Sequence, residues 1–340
     1  MYRAEAKGEG VAIKWHRTRD QSESKWWRVG LEQAVISSRT ADTDAAQGSS
    51  VGAVSAFEDW RASGQYFTHR GHRVFWRSGG VGGSGTLVCI HGFPTASWDW
   101  HAVWPALEQQ FATVIAIDMI GFGWSDKPRD YQYSILDQAD IHENFLADQG
   151  ISDYHILAHD YGDTVAQELV ARDNARPTAR IQSVCLLNGG LFPETHRALL
   201  VQKLLRTPIG PVLSRLSTRR AFGASLASVF GPDTKPSAAE LDEFWRLAHY
   251  NEGNRLSHKL IRYIDERRQY RERWVGALQE AKVPVRVIDG LLDPVSGAHM
   301  VARYRELIPD ADVVELPQIG HYPQVEDPEG TISAFRAFHT

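Results

Sequence analysis

The chain is short of cysteine, of basic runs and of long apolar stretches, and each shortage removes a class of function. Its two cysteines, Cys89 and Cys185, both stand inside apolar runs that read as buried strands. That excludes a disulfide scaffold and a cysteine zinc cluster, and it fits a reducing compartment. Lysine and arginine number 37 against 42 acidic residues, for a net charge of −5, and no dense basic run occurs. A nucleic-acid-coating role therefore has no electrostatic basis. No stretch reaches the roughly 18 apolar residues of a membrane-spanning helix, and residues 1–20 lack the apolar centre of a signal peptide. No G-x-S-x-G serine motif stands at the end of an apolar run. The expectation is a soluble, cytoplasmic enzyme acting on a small molecule, with no nucleic-acid or membrane partner and its oligomeric state open.

What is present is an ordinary globular balance, 43 % hydrophobic and 23 % charged over 340 residues, enough for one large α/β domain with an insertion. Residues 37–56 are small and polar without period, and Trp15, Trp26 and Trp27 are scattered among charges. Residues 1–56 are therefore expected to form a poorly ordered extension and linker, with the folded part starting at residue 57. Residues 65–68 and 72–77 flank an Arg70-Gly71 turn and read as a β-hairpin. Apolar runs follow at 86–91, 113–118, 154–159, 181–188, 285–290 and 312–316, with helix-period segments at 135–149, 162–174 and 298–308. Runs without alternation indicate strands covered on both faces, hence a mostly parallel α/β sheet. Ligands of such sheets bind beyond the carboxyl ends of the strands.

One interval breaks the rhythm. About a hundred residues separate the sixth of these strands, at 181–188, from the next at 285–290, and they are helical in character at 195–205, 241–248 and 256–279. Pro208, Pro211, Pro232 and Pro236 cut this interval into pieces. The pattern predicts a helical cap over 191–275, set on a core of 57–190 and 276–340. The Arg/Glu-rich stretch 265–273 reads as a solvated helix face.

Residues 156–168 carry the most chemistry: an apolar strand runs into His159-Asp160-Tyr161-Gly162-Asp163 and then into a helix. Small residues, Ala158 and Gly162, stand two before and two after Asp160. That is the steric requirement of a nucleophile elbow, where a strained turn lifts one side chain above the sheet. Here the lifted residue is a carboxylate. A carboxylate displaces a leaving group at saturated carbon and forms an alkyl ester, which a histidine-activated water then hydrolyses. The competing role, capping the helix that follows, is assigned to Asp163 instead. His321, in Gly320-His321-Tyr322-Pro323 after the last strand run, is the expected base. Asp293, after the run at 285–290, is the expected acid that orients it, with Asp289 the nearest competitor and no carboxylate after Asn188. The backbone N–H groups of Phe93 and Tyr161 would form the oxyanion site, and Phe93-Pro94 is a candidate cis bond.

These strings resemble the α/β-hydrolase superfamily, in its haloalkane dehalogenase and epoxide hydrolase branch: His91-Gly92-Phe93-Pro94, residues 118–128 (DMIGFGWSDKP), the elbow, and residues 320–323 (GHYP). The resemblance spans residues 65–338. Residues 159–169 (HDYGDTVAQEL), 188–197 (NGGLFPETHR) and 273–278 (RWVGAL) are similar to the mesoderm-specific transcript group. The vertebrate members carry apolar N-terminal segments that this sequence lacks, so membrane attachment is not carried over. The resemblance implies an α/β-hydrolase fold and no metal or organic cofactor. In dehalogenases an Asn or Trp side chain after His-Gly and a Trp after the nucleophile hold the halide; here Phe93 and Tyr161 stand there. Epoxide hydrolases carry the HGFP form and protonate the epoxide oxygen with lid tyrosines. Tyr250, Tyr263 and Tyr270 are the candidates, the last two spaced two helical turns apart. His91, Pro94, Trp98 and Phe122 are candidate pocket residues, with Trp100 and Trp104 further aromatics near strand ends. The leading expectation is epoxide-hydrolase-like hydrolysis of a small apolar substrate. The alternatives are haloalkane dehalogenation and a non-catalytic binding protein that keeps the fold.

Overall fold

The computed structural model describes residues 56–339. The expected extension over 1–56 lies, apart from its last residue, outside the described residues. Helix α1 (Ala56–Ala62) buries Phe57 and Trp60. The hairpin forms as the turn predicts: β1 (Gln65–His69) pairs antiparallel with β2 (His72–Gly79), with Arg70 and Gly71 both at positive φ.

Each apolar run becomes a strand: β3 (Thr86–Ile90), β4 (Thr113–Ile117), β5 (Tyr154–His159), β6 (Ile181–Leu187), β7 (Val285–Gly290) and β8 (Asp312–Leu316). The sheet order is β1-β2-β4-β3-β5-β6-β7-β8. β2 joins β4 antiparallel, and every pairing beyond β4 is parallel. Alternate residues serve opposite faces. Val88, Ile90, Ile156, Ala158, Val184 and Leu186 pack into one core cluster. Leu87, Cys89, Leu157, Cys185 and Leu187 pack into the other. Both faces are apolar because both are covered, which explains runs without visible alternation. The first face meets α3 (Ile135–Asp148), α4 (Tyr161–Asn174), α11 (Arg271–Gln279) and α12 (Ala298–Leu307). The second meets α1, α2 (Trp104–Gln110) and α14 (Pro328–Arg336), with α13 (Pro323–Glu326) beside the end of β7. Burying each Val, Leu or Ile side chain stabilises the fold by roughly 1.5–3 kcal/mol.

Between β6 and β7 lies the helical cap: α5 (Leu200–Leu205), α6 (Gly210–Arg215), α7 (Arg219–Ala227), α8 (Ala238–His249), α9 (Ser257–Leu260) and α10 (Tyr263–Gln269). Local chemistry sets its helix starts. Thr218 accepts from the Ala221 amide at the head of α7, and Ser237 with Glu240 forms a capping box on α8. Pro211 lies in the first turn of α6, where its missing N–H costs nothing. Two expectations change. The helix expected over 195–205 starts only at Leu200, because the chain before it is tied to the core by the Arg197 amide on the Val295 carbonyl. The segment expected as one or two helices over 256–279 is three, with Tyr270 at φ −104°, ψ 20° separating α10 from α11. Residue 275, expected as the end of the cap, falls inside α11, which packs along α4.

Candidate active site

β5 ends at His159 and α4 begins at Tyr161, so Asp160 alone makes the turn. Its φ of 47° and ψ of −101° are the strained conformation that an elbow requires. The small neighbours are obligatory: a Cβ on Gly162 would stand 2.2 Å from the Ile90 carbonyl oxygen, and one on Gly92 2.6 Å from His159 Nδ1. The Asp160 carboxylate makes no capping bond to its own helix. Oδ2 instead accepts the Phe93 amide at 3.2 Å, just before the cis Phe93-Pro94 bond. Tyr161 is the first residue of α4, where backbone amides have no partner within the helix.

Three loops converge on that carboxylate. His321 Nε2 lies 3.9 Å from Asp160 Oδ2, while its Nδ1 stands 2.7 Å from Asp293 Oδ2. Asp293 is clamped in turn by the Val295 amide on Oδ1, by the Ser296 amide and hydroxyl on Oδ2, and by Asn188 Nδ2 at 3.2 Å. Behind the site His159 donates from Nε2 to the His321 carbonyl at 2.7 Å, fixing the loop that carries the imidazole. Burial drives the His159 pKa down to about 4, so that ring stays neutral. Burial would also lower His321, but the Asp293 and Asp160 carboxylates outweigh it and hold the imidazole at about 9. Burial would raise Asp160, yet His321 and Arg267, with the Phe93 amide, keep its carboxyl below the usual range.

The cap supplies the other side. Tyr263 of α10 directs its hydroxyl to Asp160 Oδ1 at 3.4 Å, and burial pushes its pKa upward, so it remains a donor. One turn later Arg267 is 2 % exposed. It donates to the Asp160 carbonyl at 2.9 Å and to Thr164 Oγ1 at 2.7 Å, and Nη2 lies 3.5 Å from Asp160 Oδ1. Its guanidinium also lies over the Tyr263 ring at 4.5 Å. The reading of 265–273 as a solvated face is thus corrected. Arg271 and Arg273, both partly exposed, pair with Glu194 and with the buried Glu168, but Arg267 is turned inward to the carboxylate.

Asp160, Asp293, His321, Phe93, Tyr161 and Tyr263 are brought together. Tyr250 and Tyr270 are not. Tyr250 meets Arg61 and Lys127, and Tyr270 packs on Trp274 at 5.2 Å because α10 has ended before it. The two-turn spacing of Tyr263 and Tyr270 holds only within one helix, and the break removes it. Trp98 is not a pocket residue either: it is buried against Phe57 and Trp60 and donates to Glu243. Trp100 and Trp104 join the same core cluster. His91 is fully buried, bonding the Gly92 carbonyl and the Met119 amide, which makes it a brace of the loop rather than a pocket wall. Pro94 and Phe122 do line a cavity of about 640 Å³ that runs under the cap to Phe93, His321 and Tyr322. Asp160 is not on its wall, but its carboxylate touches Phe93 and lies within 4 Å of His321, which are.

Two residues of the candidate site escape sequence reasoning. Arg267 carries no local signal that separates it from its charged neighbours. Asn188 does carry one: it closes a strand, sits at φ 44° and holds both Asp293 and the Gly290 amide. The strand end lacking a carboxylate supports one that lies elsewhere. Asp163 and Asp289 are fully buried carboxyls without side-chain partners. Burial first, then Asp160 and Asp293 respectively, push both pKa values up. Burial thus favours the neutral form of Asp163 over the anionic helix cap expected of it.

Comparison with known proteins places the fold in a family. A family described as "alpha/beta hydrolase fold" matches residues 85–328. The mesoderm-specific transcript protein of Mus musculus is 44 % identical over 293 residues, 83 % of this chain and 88 % of that protein. A putative hydrolase, LipZ, of Mycobacterium tuberculosis is 40 % identical over 277 residues, 81 % of this chain and 95 % of that protein. Among solved structures, a loop variant of haloalkane dehalogenase DbeA from Bradyrhizobium elkanii superposes with a TM-score of 0.69 at 22 % identity, over 81 % of this chain and 95 % of that one. The epoxide hydrolase CorEH does so at 0.67 and 20 %, over 81 % and 97 %. At such identities the structures speak to fold alone. The family match and the 44 % relative settle the classification: the chain belongs to the α/β-hydrolase family.

Proposed function

We propose that the protein hydrolyses an apolar substrate at a saturated carbon through a covalent ester on Asp160, and that the bond opened is a strained C–O bond of the epoxide kind. The observation that carries the reading is the division of labour between the two oxygens of Asp160. Oδ2 faces the Phe93 amide and His321. Oδ1 faces the Tyr263 hydroxyl and Arg267. A leaving oxygen released beside Oδ1 meets a hydroxyl donor, whereas Phe93 and Tyr161 offer no side-chain N–H to a halide.

In the first step Oδ1 forms a bond to carbon, the ring C–O bond breaks, and the alkoxide takes the proton of Tyr263. The tyrosinate left behind is stabilised by Arg267, whose guanidinium lies over its ring. Esterification removes one of the two negative charges that hold His321 protonated, so its pKa falls and it releases a proton. The neutral imidazole then draws a proton from water, and the hydroxide adds to the ester carbonyl. Phe93 and Tyr161 amides hold the resulting oxyanion. Collapse breaks the bond between the acyl carbon and the alkyl oxygen, and that oxygen takes the imidazolium proton and leaves in the diol. The new carboxylic acid of Asp160 gives its proton to the Tyr263 phenolate, and His321 regains from solvent the proton it released after esterification. Asp293 keeps the imidazole oriented throughout.

The test is trapping. A His321→Gln variant incubated with terminal alkyl epoxides and matched bromo- and chloroalkanes should accumulate an adduct, located by peptide mass on the segment containing Asp160. An epoxide-mass adduct supports the reading. A haloalkane adduct formed with loss of halide, and none from epoxides, would move it to dehalogenation. No adduct and no turnover in the native chain would leave only a binding protein.

A further inference from the structure

Among the described residues, large exposed apolar side chains are concentrated in one place. Six of the nine, Leu200, Val201, Leu204, Ile209, Val212 and Leu216, fall within 17 consecutive residues on α5, α6 and their flanks. Leu200 is 72 % exposed and Leu216 69 %. Scattered exposed leucines need no explanation, but a contiguous set on two adjoining short helices marks an interaction face.

The charge around this face is as uneven as its hydropathy. Between residues 195 and 232 there is no aspartate or glutamate, against six lysines and arginines, in a chain of net charge −5. Arg206 and Arg219 are paired with Asp265 and Asp242 from other cap helices. Lys203, Arg215 and Arg220 are exposed and have no ion pair among the described residues. The face is also continuous with the cavity: Leu200, Leu204 and Leu216 stand both at its surface and on the wall of the 640 Å³ space that reaches His321.

We propose that α5 and α6 form a docking surface for an anionic phospholipid bilayer, and that the cavity draws a substrate dissolved in that bilayer. Ile209 and Val212 insert among acyl chains while Lys203, Arg215 and Arg220 meet phosphate headgroups, the division an interfacial element requires. A second copy docking through the same segment would need acidic complements, and residues 195–232 carry none. Docking opens the cavity mouth toward the membrane, so an apolar substrate passes to the site without crossing water. The surface claim does not depend on the chemistry at Asp160, because binding is measured without turnover.

The experiment is co-sedimentation of the full chain with large unilamellar vesicles of phosphatidylcholine alone and of phosphatidylcholine with phosphatidylglycerol. The expected result is binding to the anionic vesicles, weakened by raised salt. Ile209→Ser/Val212→Ser, which leaves the cavity wall untouched, should lower partition at least about tenfold. Lys203→Gln/Arg215→Gln/Arg220→Gln should lower it roughly fivefold per charge removed. Circular dichroism and melting temperature confirm that each variant folds. The proposal is overturned if neither vesicle binds, or if both variants bind like the native chain, which would place attachment in residues 1–55. It is also overturned if light scattering shows a dimer that the serine pair abolishes.

Discussion

Arg267 donates from Nη2 to the main-chain carbonyl of Asp160 at 2.9 Å while the same nitrogen lies 3.5 Å from the Asp160 carboxylate. A cap residue thus braces the strained turn of the elbow and lends a positive charge to the group that the turn projects. The guanidinium is buried at 2 % exposure, so little water screens it. Cap and core are coupled at the atom where reaction is proposed to begin.

Removing that charge gives the first prediction. Arg267→Met should move the acid limb of ester formation to higher pH, since Arg267 is among the groups holding the Asp160 pKa down. The rate of the first step should fall by roughly 10²-fold, and stability by about 3 kcal/mol as a buried carboxylate loses its cation. Arg267→Lys keeps the charge, so its acid limb should stay in place although the paired bonds to Thr164 and the Asp160 carbonyl are lost. The pH profile of single-turnover ester formation separates the two variants. An unmoved limb in Arg267→Met would show that the residue only packs.

His321 gives the second. Its raised pKa of about 9 means that the folded state binds the proton more tightly than the unfolded chain, whose histidine titrates near 6.5. The stability it contributes is therefore whole below about pH 6.5 and is lost as pH rises through about 9. Melting temperature should fall across that window in the native chain and change less in His321→Gln. In turnover the order reverses: lowering the pH reprotonates the imidazole of the ester form and slows hydrolysis, while Asp160 stays ionised. Rapid-quench mass measurement should find more ester-bearing protein at acid pH. A constant fraction would separate His321 from the second step.

Tyr263 gives the third. Tyr263→Phe should slow epoxide opening by roughly 10²-fold through loss of the proton donor and leave hydrolysis of a preformed ester near native. Tyr250→Phe and Tyr270→Phe, placed away from Asp160, should change neither step by more than about twofold. Single-turnover kinetics on all three variants make the comparison, and equal losses would remove the assignment.

Asp163 gives the fourth. A buried carboxyl whose pKa is raised favours its neutral form, so the native state is penalised as pH rises above the ordinary value of 3.8. Asp163→Asn keeps the shape and removes the penalty. It should raise the melting temperature by about 2–4 °C at neutral pH for each kcal/mol relieved, with the gain vanishing near pH 4. A lower melting temperature at neutral pH would show that Asp163 is ionised and partnered.

The sequence by itself determined whatever depends on neighbours a few residues away. Strand, turn and helix around Asp160 are local, and the need for Ala158 and Gly162 follows from the sterics of one strained residue. The positions of Asp293 and His321 after strands follow from the rule that parallel sheets present chemistry at their carboxyl ends, so the fold and the proximity of these side chains to Asp160 were legible together. Tertiary structure alone decided how the cap meets the core. Arg267 lies inside and Arg271 outside within a single charged stretch, Tyr263 reaches the site while Tyr270 does not, and Asn188 holds a carboxylate a hundred residues distant. Each is fixed by the packing of one element on another, and no local propensity or period encodes that angle.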